Sequence, residues 1–186
     1  MRIVSGLYGG RKIQAPKGRM VRPTTDKVRG AVFNMLQSRG LVDDAVVLDA
    51  FCGTGGMGLE ALSRGAHSCT FVDSARDSLV CVKENISSLG AEDRAKVIAS
   101  DVLKLRECTD RSELASLAFL DPPYEKGLIF PALERIAGGG WLAEGAYVVC
   151  ETEKKYNRVF PASFSVKDDR IYGEVRVFLL QFITPV

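Results

Sequence analysis

Val46-Val47-Leu48-Asp49-Ala50-Phe51-Cys52-Gly53-Thr54-Gly55-Gly56-Met57-Gly58 is the stretch that decides how this chain is read. A short apolar run ends on an acid, and glycines at 53, 55 and 58 follow at once. The run has the length of a buried strand, and the glycines satisfy G-x-G-x-x-G where a strand turns into a helix. Asp73 closes the next apolar run, Cys69-Thr70-Phe71-Val72, 20 residues after Gly53.

By itself this pattern is ambiguous. In a dinucleotide site the glycines admit a pyrophosphate to a helix N-terminus and the later acid holds a ribose. Asp49 separates the readings, because an acid at the tip of the first strand sits badly beside a pyrophosphate. It suits a ligand with a positively charged amino group and sulfonium, as in S-adenosylmethionine. Gly53, Gly55, Gly58 and Phe51 then belong to the cofactor loop, and Asp73 accepts hydrogen bonds from ribose hydroxyls. Asp101 and Val102 follow a third run, Lys96-Val97-Ile98-Ala99, where Asp101 can accept from an adenine amino group. Alone, Asp101 reads more simply as a turn or helix cap; Asp49 and Asp73 together shift the balance.

Outward from this loop the chain alternates strand and helix. Strands are expected at 46–49, 69–73, 96–99, 117–120 and 146–150, with helices from Gly56 towards Arg64, from Ser74 to about Leu89, and over 128–136. The last two strands, 164–167 and 175–182, are joined by a turn near Tyr172-Gly173 and read as an antiparallel pair. Alternation of this kind gives a parallel sheet covered by helices on both faces, here α/β with seven strands and an antiparallel strand at the end. Before the sheet, residues 1–15 read as a β-hairpin turning at Gly9-Gly10. Thr24 or Thr25 caps a helix whose buried face is Val28, Ala31, Val32, Met35 and Leu36, with Lys27 and Arg29 pointing elsewhere.

Asp121-Pro122-Pro123-Tyr124 ends the fourth strand, on the sheet edge where such folds bind ligands. An Asp-Pro turn is the bland alternative. An exocyclic base amine is a poor nucleophile because its lone pair is delocalised into the ring. Two acceptors on its hydrogens, the Asp121 carboxylate and the Pro122 carbonyl, free that lone pair; Tyr124 offers a face for an unstacked base. No cysteine adjoins the motif, which counts against methylation at a pyrimidine carbon.

Composition supports a nucleic-acid partner. Of 186 residues, 46% are hydrophobic and 26% charged, enough for one globular domain over 1–186. Net charge is +2, yet residues 1–40 hold nine Lys/Arg and one acid, leaving the remainder acidic. Residues 1–40 are therefore expected to be a basic extension contacting a polyanion. Five cysteines without C-x-x-C spacing and a single His67 give no disulfide framework and no metal site. The N-terminus lacks an apolar signal core and no run is long enough to span a membrane, so the expectation is a cytoplasmic protein.

These motifs resemble the bacterial 16S rRNA guanine-N2 methyltransferases of the small subunit methyltransferase D type. Arg22-Pro23-Thr24-Thr25-Asp26-Lys27-Val28-Arg29 is the most specific match; the Asp-Pro-Pro-Tyr tetrapeptide is shared more widely among amino-methyltransferases. Met1-Arg2-Ile3, the glycine loop, Gly140-Trp141-Leu142 and Val149-Cys150-Glu151 also fit, with Asp73 where many relatives carry Glu. The resemblance implies a Rossmann-like class I fold, S-adenosylmethionine as cofactor, and the small ribosomal subunit as partner of a monomeric enzyme. Arg2, Arg11, Lys12, Arg22, Lys27 and Arg29 are expected to hold RNA phosphates. The rivals are a DNA adenine or cytosine amino-methyltransferase and a catalytically inactive RNA- or nucleotide-binding module.

Overall fold

The period-2 alternation of the strands sets the layers, since neighbouring residues point to opposite faces of a sheet. Val47 packs into one apolar core and Leu48 into the other; Phe119 and Leu120 divide in the same way. The computed structural model describes residues 1–15, 26–123, 127–157 and 159–183. Its strands are β1 (Val46–Ala50), β2 (Ser68–Asp73), β3 (Ala95–Ala99), β4 (Ala115–Leu120), β5 (Leu142–Glu153), β6 (Phe164–Tyr172) and β7 (Val175–Phe182). Its helices are α1 (Asp26–Gln37), α2 (Gly56–Ser63), α3 (Arg76–Leu89) and α4 (Ile129–Gly138).

The strands form one sheet in the order β3-β2-β1-β4-β5-β7-β6. All neighbours are parallel except at β7, which is antiparallel to both β5 and β6. The chain leaves β1 towards β2 and β3, then returns to β4 on the other side. The carboxyl ends of β1 and β4 therefore flank the point where strand order reverses, the place where α/β sheets open a ligand crevice. Apolar residues of α1, α2 and α3 join one core; those of α4 join the other.

β5 and β6 run several residues longer than the sequence predicts. β6 continues to Tyr172 although Lys167-Asp168-Asp169-Arg170 carries no apolar alternation. Its charges are paired instead, Asp168 with Arg39 and Arg170 and Asp169 with Arg176. Charge on an edge strand discourages pairing with another chain.

The N-terminal hairpin departs from expectation. It holds a single bridge, Arg2 with Lys12, and its turn is the broad stretch from Ser5 to Gly10 rather than a tight Gly9-Gly10 pair. The cause is competition for backbone donors. Val4 and Ser5 donate N–H to the Glu60 carboxylate (2.7 and 3.1 Å), Leu7 to the Ser63 carbonyl and Tyr8 to the Ser63 hydroxyl. Gly6, at φ 83°, lies so near α2 that a Cβ would stand 1.9 Å from the Ser63 oxygen. Ile3, Tyr8 and Ile13 are buried in the same core as α1, α2 and α3.

Arg29 requires a correction. It does not point to solvent: it is 1% exposed, and its guanidinium donates to Glu60 (3.4 Å), to Asp26 (2.9 Å) and to the Arg2 carbonyl. Glu60 is fully buried and also receives Arg64 at 2.7 Å. The apolar periodicity of α1 missed this because an arginine buried against a carboxylate leaves no hydrophobic mark. Removing one partner from a buried ion group leaves charge without compensation. Arg29→Ala should therefore lower stability by about 3 kcal/mol in urea unfolding. An unchanged unfolding midpoint with weakened RNA binding would restore Arg29 to phosphate contact.

Candidate active site

At the end of β1 the backbone turns sharply. Phe51 lies at φ 62°, in the left-handed region that a bulky side chain rarely occupies, and Gly53 and Gly55 lie at 54° and 77°. Strain of this kind collects where a loop is shaped for a ligand. The Cys52 amide still pairs with the Val72 carbonyl, extending the β1–β2 ladder one residue beyond the strand.

Two acids fix the loop. Asp49, 3% exposed, accepts the Gly58 N–H of the first turn of α2 at 2.8 Å. Burial, with the nearby Asp73 charge adding to it, pushes its carboxyl up to about 7, although the Gly58 bond pulls the other way. Asp73 accepts the Gly53 N–H at 2.9 Å through one oxygen and the Ala75 N–H at 2.8 Å through the other. The sequence places both acids by the loop; their bonds to its backbone amides lie beyond a spacing argument.

The glycines differ in purpose. A Cβ on Gly58 would stand 2.4 Å from the Phe71 ring and 2.5 Å from the Cys69 sulfur, so this glycine lets α2 lie close on β2. At Gly53 the nearest atom to such a Cβ is 4.0 Å away, and the space above the loop is open. Asn85 of α3, which the sequence did not single out, holds the loop from below. Its amide nitrogen donates to the carbonyls of Thr54 (2.9 Å) and Gln14 (3.1 Å), and its oxygen accepts the Gln14 N–H (2.7 Å).

Asp101 caps the short 3-10 turn Val102–Lys104, accepting the Leu103 N–H at 3.0 Å. Val102 is 1% exposed, its side chain packed in the core on the α4 side. Any contact from Val102 to an adenine would come from its backbone.

Asp121 follows directly on β4, next to the β1 turn, because Leu120 pairs with Ala50. Burial raises its carboxyl well above the ordinary range, and Glu151 and Asp49 add to the rise. Pro122 is buried and Pro123 exposed; Tyr124 lies outside the described residues. Leu120 also pairs with Cys150, so Asp121 and Glu151 occupy matching positions on neighbouring strands. The sequence did not assign Glu151 a role. Its signal is an acid closing the apolar run Val148-Val149-Cys150, as Asp49, Asp73 and Asp121 close theirs.

The basic residues are distributed unevenly. Arg2, Arg11, Lys12 and Lys27 are exposed, whereas Arg22 falls outside the described residues. Arg11 donates to the carbonyls of Ser88 and Leu89 at the C-terminus of α3 and lies over the Tyr8 ring. Among the described residues no group of acids, cysteines and histidine could hold a metal ion, and no helix is long and apolar enough to cross a membrane.

A reversed β7 between β5 and β6 distinguishes this sheet from the all-parallel 3-2-1-4-5-6 order of dinucleotide-binding domains. With solved relatives of the same architecture, it defines an enzyme of the Rossmann-like methyltransferase class. Within that class, the chain belongs to the ribosomal RNA small subunit methyltransferase D family. The family model described as conserved hypothetical protein 95 matches residues 1–181. Ribosomal RNA small subunit methyltransferase D of Escherichia coli strain K12 is 33% identical over 182 residues, covering 97% of this chain and 89% of that protein. The protein of the same name from Haemophilus influenzae is 30% identical, covering 97% and 93%. A solved Escherichia coli structure, described as a candidate methyltransferase, superposes with a TM-score of 0.84 at 33% identity, covering 98% of each chain.

The two glycines give separable outcomes. Gly58→Ala should cost about 2 kcal/mol of stability through overpacking. Gly53→Ala should cost only about 1 kcal/mol, from its left-handed backbone, and act mainly on ligand affinity. Thermal unfolding of both variants checks this; equal losses would contradict the division of roles.

Proposed function

We propose that this enzyme transfers a methyl group from S-adenosylmethionine to the exocyclic N2 of a guanine in small-subunit ribosomal RNA, in the cytoplasm and as a monomer. The observation that carries the amine chemistry is the placement of Asp121-Pro122 at the end of β4, beside the β1 glycine turn. The small-subunit RNA rests on similarity to the small subunit methyltransferases along nearly the whole chain, and guanine N2 on the family resemblance carried by the segment from Arg22 to Arg29.

The residues fit the cofactor. Asp49 is a buried carboxylate with a raised proton affinity, a group that gains from a cationic neighbour. Gly53 leaves open space above the loop, and Asp73, Asp101 and Val102 follow in order along the strand ends for ribose and adenine. When bound, S-adenosylmethionine supplies a methyl group already activated on a sulfonium.

The protein's task is then largely orientation. The Asp121 carboxylate accepts one N2 hydrogen and the Pro122 carbonyl the other, which localises the nitrogen lone pair. Tyr124 supplies a stacking face for the base. After transfer the nitrogen is cationic and sheds its surplus proton, which the Asp121 carboxylate can take. Arg2 and Lys12 face one another across the bridge at the N-terminus, where like charges repel unless a polyanion lies on them. With Arg11, Lys27 and Arg22 they form the proposed phosphate-contacting set; Arg29 serves the fold.

Asp121→Asn should reduce methyl transfer to small-subunit RNA at least about 100-fold while cofactor affinity stays within about twofold. Labelled transfer to RNA and to duplex DNA, measured side by side, tests the reading. Incorporation into DNA alone would favour the rival amino-methyltransferase.

The pH dependence of cofactor binding has a defined sign. Asp49 is raised in the free protein to about 7, so it is largely protonated below that value and ionised above it. A cationic ligand selects the ionised form, so affinity should rise as pH passes from 6 to 8, with net proton release near pH 7. Calorimetry in buffers of different ionisation enthalpy reads that release. For the fold the sign is opposite: a raised carboxyl favours the folded state below the ordinary carboxylate range, and this contribution is lost as pH rises through about 7.

A further inference from the structure

We propose that Glu151 is the residue that selects guanine, by accepting the N1–H of the target base beside the amine held by Asp121 and Pro122. This rests on the reading of the active site given above.

Asp121 and the Pro122 carbonyl handle an exocyclic amine, and guanine, adenine and cytosine all carry one. The atom next to the amine distinguishes the bases. On guanine it is N1–H, a donor; on adenine it is N1 and on cytosine N3, both acceptors. Guanine therefore presents three donors in a row, N1–H and the two N2 hydrogens, and a site selecting it needs three acceptors in a row.

The sheet supplies the third acceptor. Pairing of Leu120 with Cys150 puts Glu151 level with Asp121 on the adjoining strand, and Glu151 is 7% exposed. It lines a narrow cleft beside Pro122, Pro123, Leu128 and Tyr156. The Thr152 hydroxyl, also on this cleft, is taken up by the carbonyls of Glu153 and Arg176. Two carboxylates side by side in a buried place repel one another, which is why Glu151 contributes to the raised proton affinity of Asp121. A base edge made entirely of donors turns that repulsion into recognition.

The test uses the intact enzyme and small-subunit RNA in which the nucleotide methylated by the wild type is either guanosine or 2,6-diaminopurine riboside. The analogue keeps the 2-amino group but carries an acceptor at N1. Wild type should favour guanosine at least about 100-fold in kcat/KM, because an acceptor against a buried carboxylate is left unpaired. Glu151→Gln can turn its amide N–H to that acceptor, so the preference should fall below about tenfold, with cofactor affinity within about twofold of wild type. A purely structural role would lower both substrates together and leave the ratio alone. Equal use of the two nucleotides by the wild type would overturn the proposal whatever the variant does, and so would an unchanged ratio in Glu151→Gln. If the wild type methylates no guanosine at all, the underlying reading fails rather than this assignment.

Discussion

The contact on which the rest depends is the 2.8 Å hydrogen bond from the Gly58 amide to the Asp49 carboxylate. It ties the end of the central strand to the first turn of the helix that follows, where unpaired amides and the helix dipole favour negative charge. With that turn closed, Gly53 reaches Asp73 and the loop spans the ends of β1 and β2. Asp49 is 3% exposed, and burial makes its carboxylate expensive to ionise without a cation close by. Shape and electrostatics of the proposed cofactor site thus follow from one residue placed at a strand end.

The N-terminal segment is bound into this frame rather than appended to it. Glu60, on the helix that begins at the glycine loop, gathers Arg29, Arg64 and the amides of Val4 and Ser5. Asn85, on the next helix, holds Gln14 and the loop carbonyl of Thr54 at once. The basic residues of the segment and the glycine loop accordingly share supports. Arg2, Arg11 and Lys12 are left exposed, while the buried Arg29 fastens the segment and Arg11 also reaches the end of α3.

Much of this was legible in the sequence, for identifiable reasons. Each parallel strand buried on both faces is a run of apolar residues, and the runs before Asp49, Asp73, Asp121 and Glu151 each stop at an acid at the carboxyl end of the strand. Glycine spacing located the turn, and the reversed last strand was visible as two runs separated by a tight turn. What escaped was polar structure inside the core. Glu60 and Arg29 satisfy each other across helices distant in sequence, and periodicity registers only apolar faces. β6 was cut short because its charges are paired laterally, a long-range fact. The hairpin lost its tight turn because α2 competes for its amides. Glu151 had a pattern to betray it, yet only the β4–β5 register sets it beside Asp121.

The central claim is chemical: an amine of guanine, held by Asp121 and Pro122, receives the methyl group. The most direct measurement is the identity of the nucleoside labelled when the enzyme, labelled S-adenosylmethionine and unmodified small ribosomal subunits are incubated and the RNA is digested. The account predicts N2-methylguanosine. A methylated adenosine or cytidine in its place, with guanosine unlabelled, would contradict it.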